Sequence, residues 1–193
     1  MDERAARKRL RSFVGTRKKV RLTRPFPGEP RHNGFILGVG RDLVLVQQFH
    51  DFHPEGYTAL RVKDITGIRS GKYERLWERM LAEEGILGRV GIPYDVPLQD
   101  ITVLLKALQQ RGDNIIVECE DVKEDLDDFY LGQILSIDSD SLCFAHFNAL
   151  GRWDKDPHTI PLEKITKLQF DTPYVQTFSK YLEGPWRQTK GRT

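Results

Sequence analysis

Cysteine is nearly absent from this 193-residue chain. Cys119 and Cys143 are the two present, each inside an apolar segment, so no disulfide framework is expected. Long hydrophobic runs are missing as well: stretches such as residues 115–117 fall far short of the roughly 20 apolar residues that span a bilayer. The opening MDERAARKRLRS lacks the apolar centre of a secretory signal, so a cytoplasmic chain with no membrane partner is the expectation. Net charge is small too, +2 from 30 Lys/Arg against 28 Asp/Glu. With 39% hydrophobic residues, that balance excludes wholesale disorder. The length suits one domain or two small ones, at roughly 150 residues per domain.

Charge is present, but it is unevenly placed. Residues 1–31 hold eleven Lys/Arg against Asp2, Glu3 and Glu29, a net of +8 that leaves −6 for the rest. Residues 118–128 are the opposite extreme, with seven carboxylates and one lysine. Such polarity either attracts an anionic partner to the N-terminal segment or brings the two regions together.

The chain also contains itself twice. At an offset of 98, Gly34, Ile36, Leu37, Val39, Asp42, Val44 and Val46 fall on Gly132, Ile134, Leu135, Ile137, Asp140, Leu142 and Phe144. At an offset of 100, Leu60, Val62, Ile65, Thr66 and Ile68 meet Ile160, Leu162, Ile165, Thr166 and Leu168. Tyr73, Trp77 and Leu81 then meet Tyr174, Phe178 and Leu182 at 101. Each copy reads as short strands joined by a tight polar turn, with first strands near 19–23 and 114–120, and closed by a helix.

In the closing helices Tyr73, Leu76, Trp77, Met80 and Leu81, and Tyr174, Thr177, Phe178, Tyr181 and Leu182, keep a 3.6-residue period that predicts a core-facing stripe. Ser70 and Thr172 are the expected caps, the latter with Pro173 at the first helical position. A further helix over 100–111 has Asp100 as its cap and Gly112 as its stop, and a weaker one around 4–13 precedes the first copy. The predicted organisation is therefore a first unit of residues 1–83 and a linker of 84–99, which carries Gly85, Gly88, Gly91, Pro93 and Pro97. A second unit of 100–185 and a tail of 186–193 follow.

A helix, about five short strands with a tight polar turn, and a closing helix resemble the Sm-like small β-barrel, here twice over residues 4–182. The fold class this implies is mainly β with short helices: two consecutive Sm-like barrels, each flanked by helices. The chain is also similar to bacterial proteins built of two such halves that carry a stretch like Gly151-Arg152-Trp153-Asp154. Sm-like proteins that bind RNA follow a glycine and an apolar strand with Asp and then Asn. Gly132, Ile134, Ile137 and Asp138 match the first part, but Leu142 stands where the Asn belongs. Copy one has Gly34 and Ile36 but Gly40 in place of the Asp, and Ile68-Arg69-Ser70-Gly71 faintly resembles the second motif.

Candidate chemistry is sparse. His50-Asp51-Phe52-His53 offers two imidazoles and a carboxylate, but no third or fourth metal ligand lies nearby in sequence. Cys119 sits among Glu118, Glu120 and Asp121, whose charge opposes a reactive thiolate. A glycine-rich phosphate loop and a Gly-x-Ser-x-Gly elbow are both missing, so neither an enzyme nor a cofactor nor a metal site is expected. Tyr73, Trp77, Tyr174 and Phe178 read as core before they read as a base-stacking platform. The stretch 147–153 places Trp153 beside Arg152, which is either an exposed pair of the kind typical of interaction hot spots or a Trp153 folded back over the barrel mouth. These observations point to a non-catalytic binding or scaffolding protein with a protein partner, watched at Arg152, Trp153, His50 and His53, and leave homo-oligomers open. The rival is an RNA-associated protein holding phosphate through Arg7, Lys8, Arg9, Arg11, Arg17, Lys18, Lys19 and Arg21.

Overall fold

The computed structural model of the protein describes residues 1–27, 31–122 and 128–186; most of the predicted tail and the middle of the acidic run lie outside them. Its first half runs α1 (Glu3–Arg11), β1 (Lys19–Thr23), β2 (Arg31–Val39), β3 (Leu43–His50), β4 (His53–Arg61), β5 (Gly67–Arg69) and α2 (Lys72–Glu83). The second runs α3 (Ile101–Arg111), β6 (Ile115–Cys119), β7 (Asp128–Ile137), β8 (Ser141–His146), β9 (His158–Pro161), β10 (Lys167–Phe170) and α4 (Pro173–Ser179). All ten strands pair antiparallel in one sheet, in the order β5-β1-β2-β3-β4-β10-β6-β7-β8-β9. Each half therefore uses the same internal order, last strand beside first, and β4 joins β10 across the middle. Among the described residues the sheet is open, with β5 at one end and β9 at the other.

The sequence repeat is a structural repeat. Gly34 sits where a Cβ would come within 2.1 Å of the Gln47 carbonyl oxygen, and Gly132 where one would come within 1.9 Å of that of Ala145. Both the glycines and the carbonyls stand 98 residues apart, so glycine is required twice for one close strand approach. A register shift follows each, between Ile36 and Gly38 and between Ile134 and Ser136. The polar turns close alike, Gly40 N–H on Leu43 O at 2.8 Å and Asp138 N–H on Ser141 O at 2.9 Å.

The helices begin largely as their caps predict. Asp100 accepts from the Val103 N–H at 3.0 Å, Gly112 ends α3 in the left-handed region at φ 72°, and Thr172 accepts from the Val175 N–H at 3.0 Å. Two expectations change. The cap of α2 is Gly71, not Ser70, because the Glu74 carboxylate accepts from the Gly71 N–H at 2.8 Å. Glu74 also takes Arg69, Nη2 at 2.6 Å, and is 3% exposed. Drawing Glu74 inward rotates the predicted stripe, leaving Leu81 buried, Trp77 half-buried and Tyr73 and Leu76 exposed. Tyr174, 48% exposed, and Tyr181 also face outward, while Val175 and Phe178 hold α4 to the sheet.

The helix preceding each half fills its core. Ala6 and Leu10 of α1 meet Val20, Leu22, Ile36, Val44 and Ile68, whereas Leu104, Leu105 and Leu108 of α3 meet Ile115, Val117, Leu142 and Phe144. Leu43, Leu45 and Ala59 from the first half belong to that second core, so apolar burial crosses the β4–β10 seam. The segment between the halves is docked. Val90 and Leu98 are buried, and Gln47 donates to Arg89 O at 3.1 Å while accepting from the Gly91 N–H at 2.9 Å. No helix among the described residues is long and apolar enough to cross a membrane.

Candidate functional site

A cleft of about 590 Å³ opens where the two halves meet. Antiparallel pairing of β2 with β3 brings Arg31 and Asn33 beside Gln48 and His50, and the seam adds Gln169 of β10 with Phe129 of β7. Tyr174, in the first turn of α4, stands at its wall. A second hollow shares Asn33, Phe49 and His50 with it and extends to Tyr73 and Trp77 of α2. Tyr73 and Tyr174 are repeat counterparts, so both closing helices contribute the same exposed ring to the hollows of this one face. Phe129 adds a third, 45% exposed.

A buried ionic network lies behind the cleft. Arg24 sends Nη1 and Nη2 to the two oxygens of Glu120 at 2.7 and 2.6 Å, and both side chains are essentially inaccessible. Its Nε donates to His32 Nε2 at 2.8 Å. Glu120 also accepts from Thr166 Oγ1 at 2.7 Å, and Lys167 Nζ lies 2.7 Å from Glu118, which takes the Gln169 amide. Burial, with Arg24 and Lys167 close by, pushes the His32 imidazole down to about 2, so this ring is neutral and its Nε2 accepts. The network couples one residue of the basic first segment, Arg24, to one of the acidic run, Glu120.

The residues singled out from sequence fall in different places. His50 and His53 are register partners across the β3–β4 turn, and His50 is exposed beside Asp51 at 3.8 Å and lines the cleft. Between them Phe52 stacks on Trp77 at 4.9 Å. Three or more His, Cys, Asp or Glu gathered as a metal site are not found among the described residues. Arg152 is exposed and paired with Glu183 at 3.0 Å, outside the cleft. Trp153 turns inward, edge-on to Phe147 at 5.1 Å, and its indole N–H reaches Gly184 O at 2.8 Å. Burial pushes the Cys119 thiol up to about 12, with Asp128 adding to it, so it is no nucleophile at neutral pH.

The basic segment divides in two. Lys8, Arg9 and Arg11 on α1, with Arg17 and Lys18 after it, are exposed. Arg7 bonds Arg41 O at 2.9 Å and Glu3, Arg21 donates to Asn33 Oδ1 at 3.1 Å, and Lys19 is buried with Nζ 4.9 Å over Trp77. Sequence reasoning missed Arg31, Asn33, Gln48, Phe129 and Gln169, since the cleft is assembled from both halves. The one available signal was the equivalence of Tyr73 and Tyr174, which their helical spacing disguised as core.

The cleft thus presents three carboxamides, Asn33, Gln48 and Gln169, and two exposed rings, Phe129 and Tyr174, with Tyr73 in the adjoining hollow. Comparison with family models, curated proteins and solved structures finds no match to this chain.

Proposed function

We propose that the chain is a non-catalytic binding or scaffolding protein whose halves are each an Sm-like small barrel, and that its partner is a protein laying an extended segment in the cleft. The observation that carries this reading is the lining itself. Arg31, Arg21 and Lys19 are offset by Glu55, Asp51 and Glu74, a mixture that suits peptide amides and side chains better than a row of phosphates. Tyr73 and Tyr174 then supply rigid amphipathic contact area at little entropic cost. A second reading rests on the exposed cations Lys8, Arg9, Arg11, Arg17 and Lys18, which lie away from the cleft and offer sequence-independent phosphate contacts to RNA.

Tyr73→Ala with Tyr174→Ala separates the two. Both rings are exposed, so melting of the double variant should match wild type, with stability changed by no more than about 0.5 kcal/mol. A protein recovered with wild type from the native cell should be lost with this variant and kept by one carrying Ser at 8, 9, 11, 17 and 18. Titrations of homopolymer RNAs at several salt concentrations give the counter-measurement. The RNA reading requires binding whose log–log salt slope falls by about 0.7 for each lost phosphate contact. Tight RNA binding that needs Tyr73 and Tyr174 would overturn the protein reading.

A further inference from the structure

Lys19 is the buried ammonium that the ionic network behind the cleft leaves out. It opens β1, is 6% exposed, and gives its backbone N–H to Glu78 Oε1 at 2.7 Å. Its Nζ lies 4.9 Å over Trp77, on which Phe52 also stacks, and among the described residues it makes neither a hydrogen bond nor an ion pair. The side chain lines the second hollow, of about 170 Å³. Two residues on, Arg21 falls on the same side of the strand and lines the same hollow. Its Nε is given to Asn33 at 3.1 Å, and it too has no ion pair among the described residues.

The carboxylates around Lys19 are engaged elsewhere. Glu74 takes Arg69 Nε and Nη2 at 3.0 and 2.6 Å and the Gly71 N–H at 2.8 Å. Glu78 holds the Lys19 backbone, and exposed Asp51 stands beside His50. Two cations are thus brought to one hollow with no oxygen between them, and an oxygen anion placed there is attracted by both. Burial lowers the Lys19 pKa; Glu74 and Glu78 oppose this, while Arg21 and Arg69 add to it. The same carboxylates restrict what enters. A single carboxylate on a short side chain suits the small hollow, whereas a phosphate dianion would face Glu74, Glu78 and Asp51 at twice the charge. The hollow shares Asn33, Phe49 and His50 with the cleft, so a chain lying in the cleft can turn one side chain into it.

We propose that this hollow is the specificity pocket of the cleft, taking an aspartate or glutamate side chain of the partner's extended segment between Lys19 and Arg21. The proposal rests on the reading that a protein segment lies in the cleft. Its test uses the intact chain with N-acetylglutamate α-amide and the glutamine counterpart as probes. Trace acetylation by acetic anhydride, read at Lys19 by mass spectrometry across pH, follows the neutral amine. The midpoint should lie below that of an ordinary lysine and rise by about 1 or more with the glutamate compound, since an opposite charge in contact moves a pKa by about 1 to 3. Below that midpoint, labelling of Lys19 then falls about tenfold. The glutamine compound should change neither. Lys19→Met keeps the stem against Trp77 and removes the unpaired charge, so it should melt at or above wild type. The Trp77 indole resonance, moved by the glutamate compound in wild type, should stay fixed in that variant. A Lys19 midpoint unmoved by the glutamate compound, or moved equally by the glutamine one, overturns the pocket. So does a Lys19→Met chain that melts well below wild type, which would make the lysine structural. A midpoint moved further by inorganic phosphate than by the glutamate compound overturns the assignment to a side-chain carboxylate. These measurements leave Tyr73 and Tyr174 in place and need no cellular partner, so failure of the pocket is distinct from failure of the cleft reading.

Discussion

Glu120→Gln is expected to lower the unfolding free energy by about 3–5 kcal/mol, the cost of stranding a buried charge after its partner is removed. Arg24 has no water to turn to, since its side chain and that of Glu120 are inaccessible and it spends Nη1 and Nη2 on that one carboxylate. Arg24→Met should cost a similar amount by leaving the carboxylate with Thr166 and Lys167. The double replacement R24M/E120M should recover most of the loss, because two apolar side chains of similar volume leave neither charge unpaired. Urea unfolding of the three variants measures this. Single variants that unfold like wild type would show the bridge to be solvated, and a double variant no better than the singles would assign the loss to packing.

The second large effect is acid lability centred on His32. Its folded-state pKa is depressed to about 2, first by burial and then by Arg24 and Lys167. The unfolded chain takes up a proton near pH 6.5 that the folded chain refuses, so stability present above that pH falls as the solution becomes more acid. Each pH step of one below that point costs about 1.4 kcal/mol while the folded ring stays neutral, or about 2 kcal/mol by about pH 5. His32→Gln keeps an acceptor for the Arg24 Nε and removes the titration. Unfolding at neutral pH and near pH 5 should therefore show wild type losing about 2 kcal/mol more than the variant. Equal losses would mean that other groups, such as His146, whose pKa burial also lowers, carry the dependence.

Arg24 and Glu120 mark where the sequence stopped being informative. Asp100, Gly112, Thr172 and Pro173 bound their helices by local rules, and local rules are legible in a single sequence. The paired glycines at 34 and 132 were equally legible, because a repeat exposes a shared backbone demand. Arg24 and Glu120 are 96 residues apart, and nothing in a basic segment and an acidic run says which members will meet. The turn of α2 was misread for a related reason. Periodicity ranks residues by apolarity, while the bond from Gly71 and the pairing with Arg69 drew a glutamate inward and left Tyr73 outside. The cleft needed both halves in place before its lining existed at all.

The seam between β4 and β10 has a further consequence for synthesis. Residues 57–60 leave the ribosome more than a hundred residues before their partners at 167–170. Throughout that interval the outer edge of β4 is unpaired, and Leu43, Leu45 and Ala59 lack the β10 side chains that later cover them. Nascent chains with open edges and uncovered apolar surface are the species most prone to misassembly, and pairing between such distant segments is slow. The N-terminal half thus emerges early but is completed last, and a pause in translation between residues 61 and 167 exposes the same edge that the finished protein has closed.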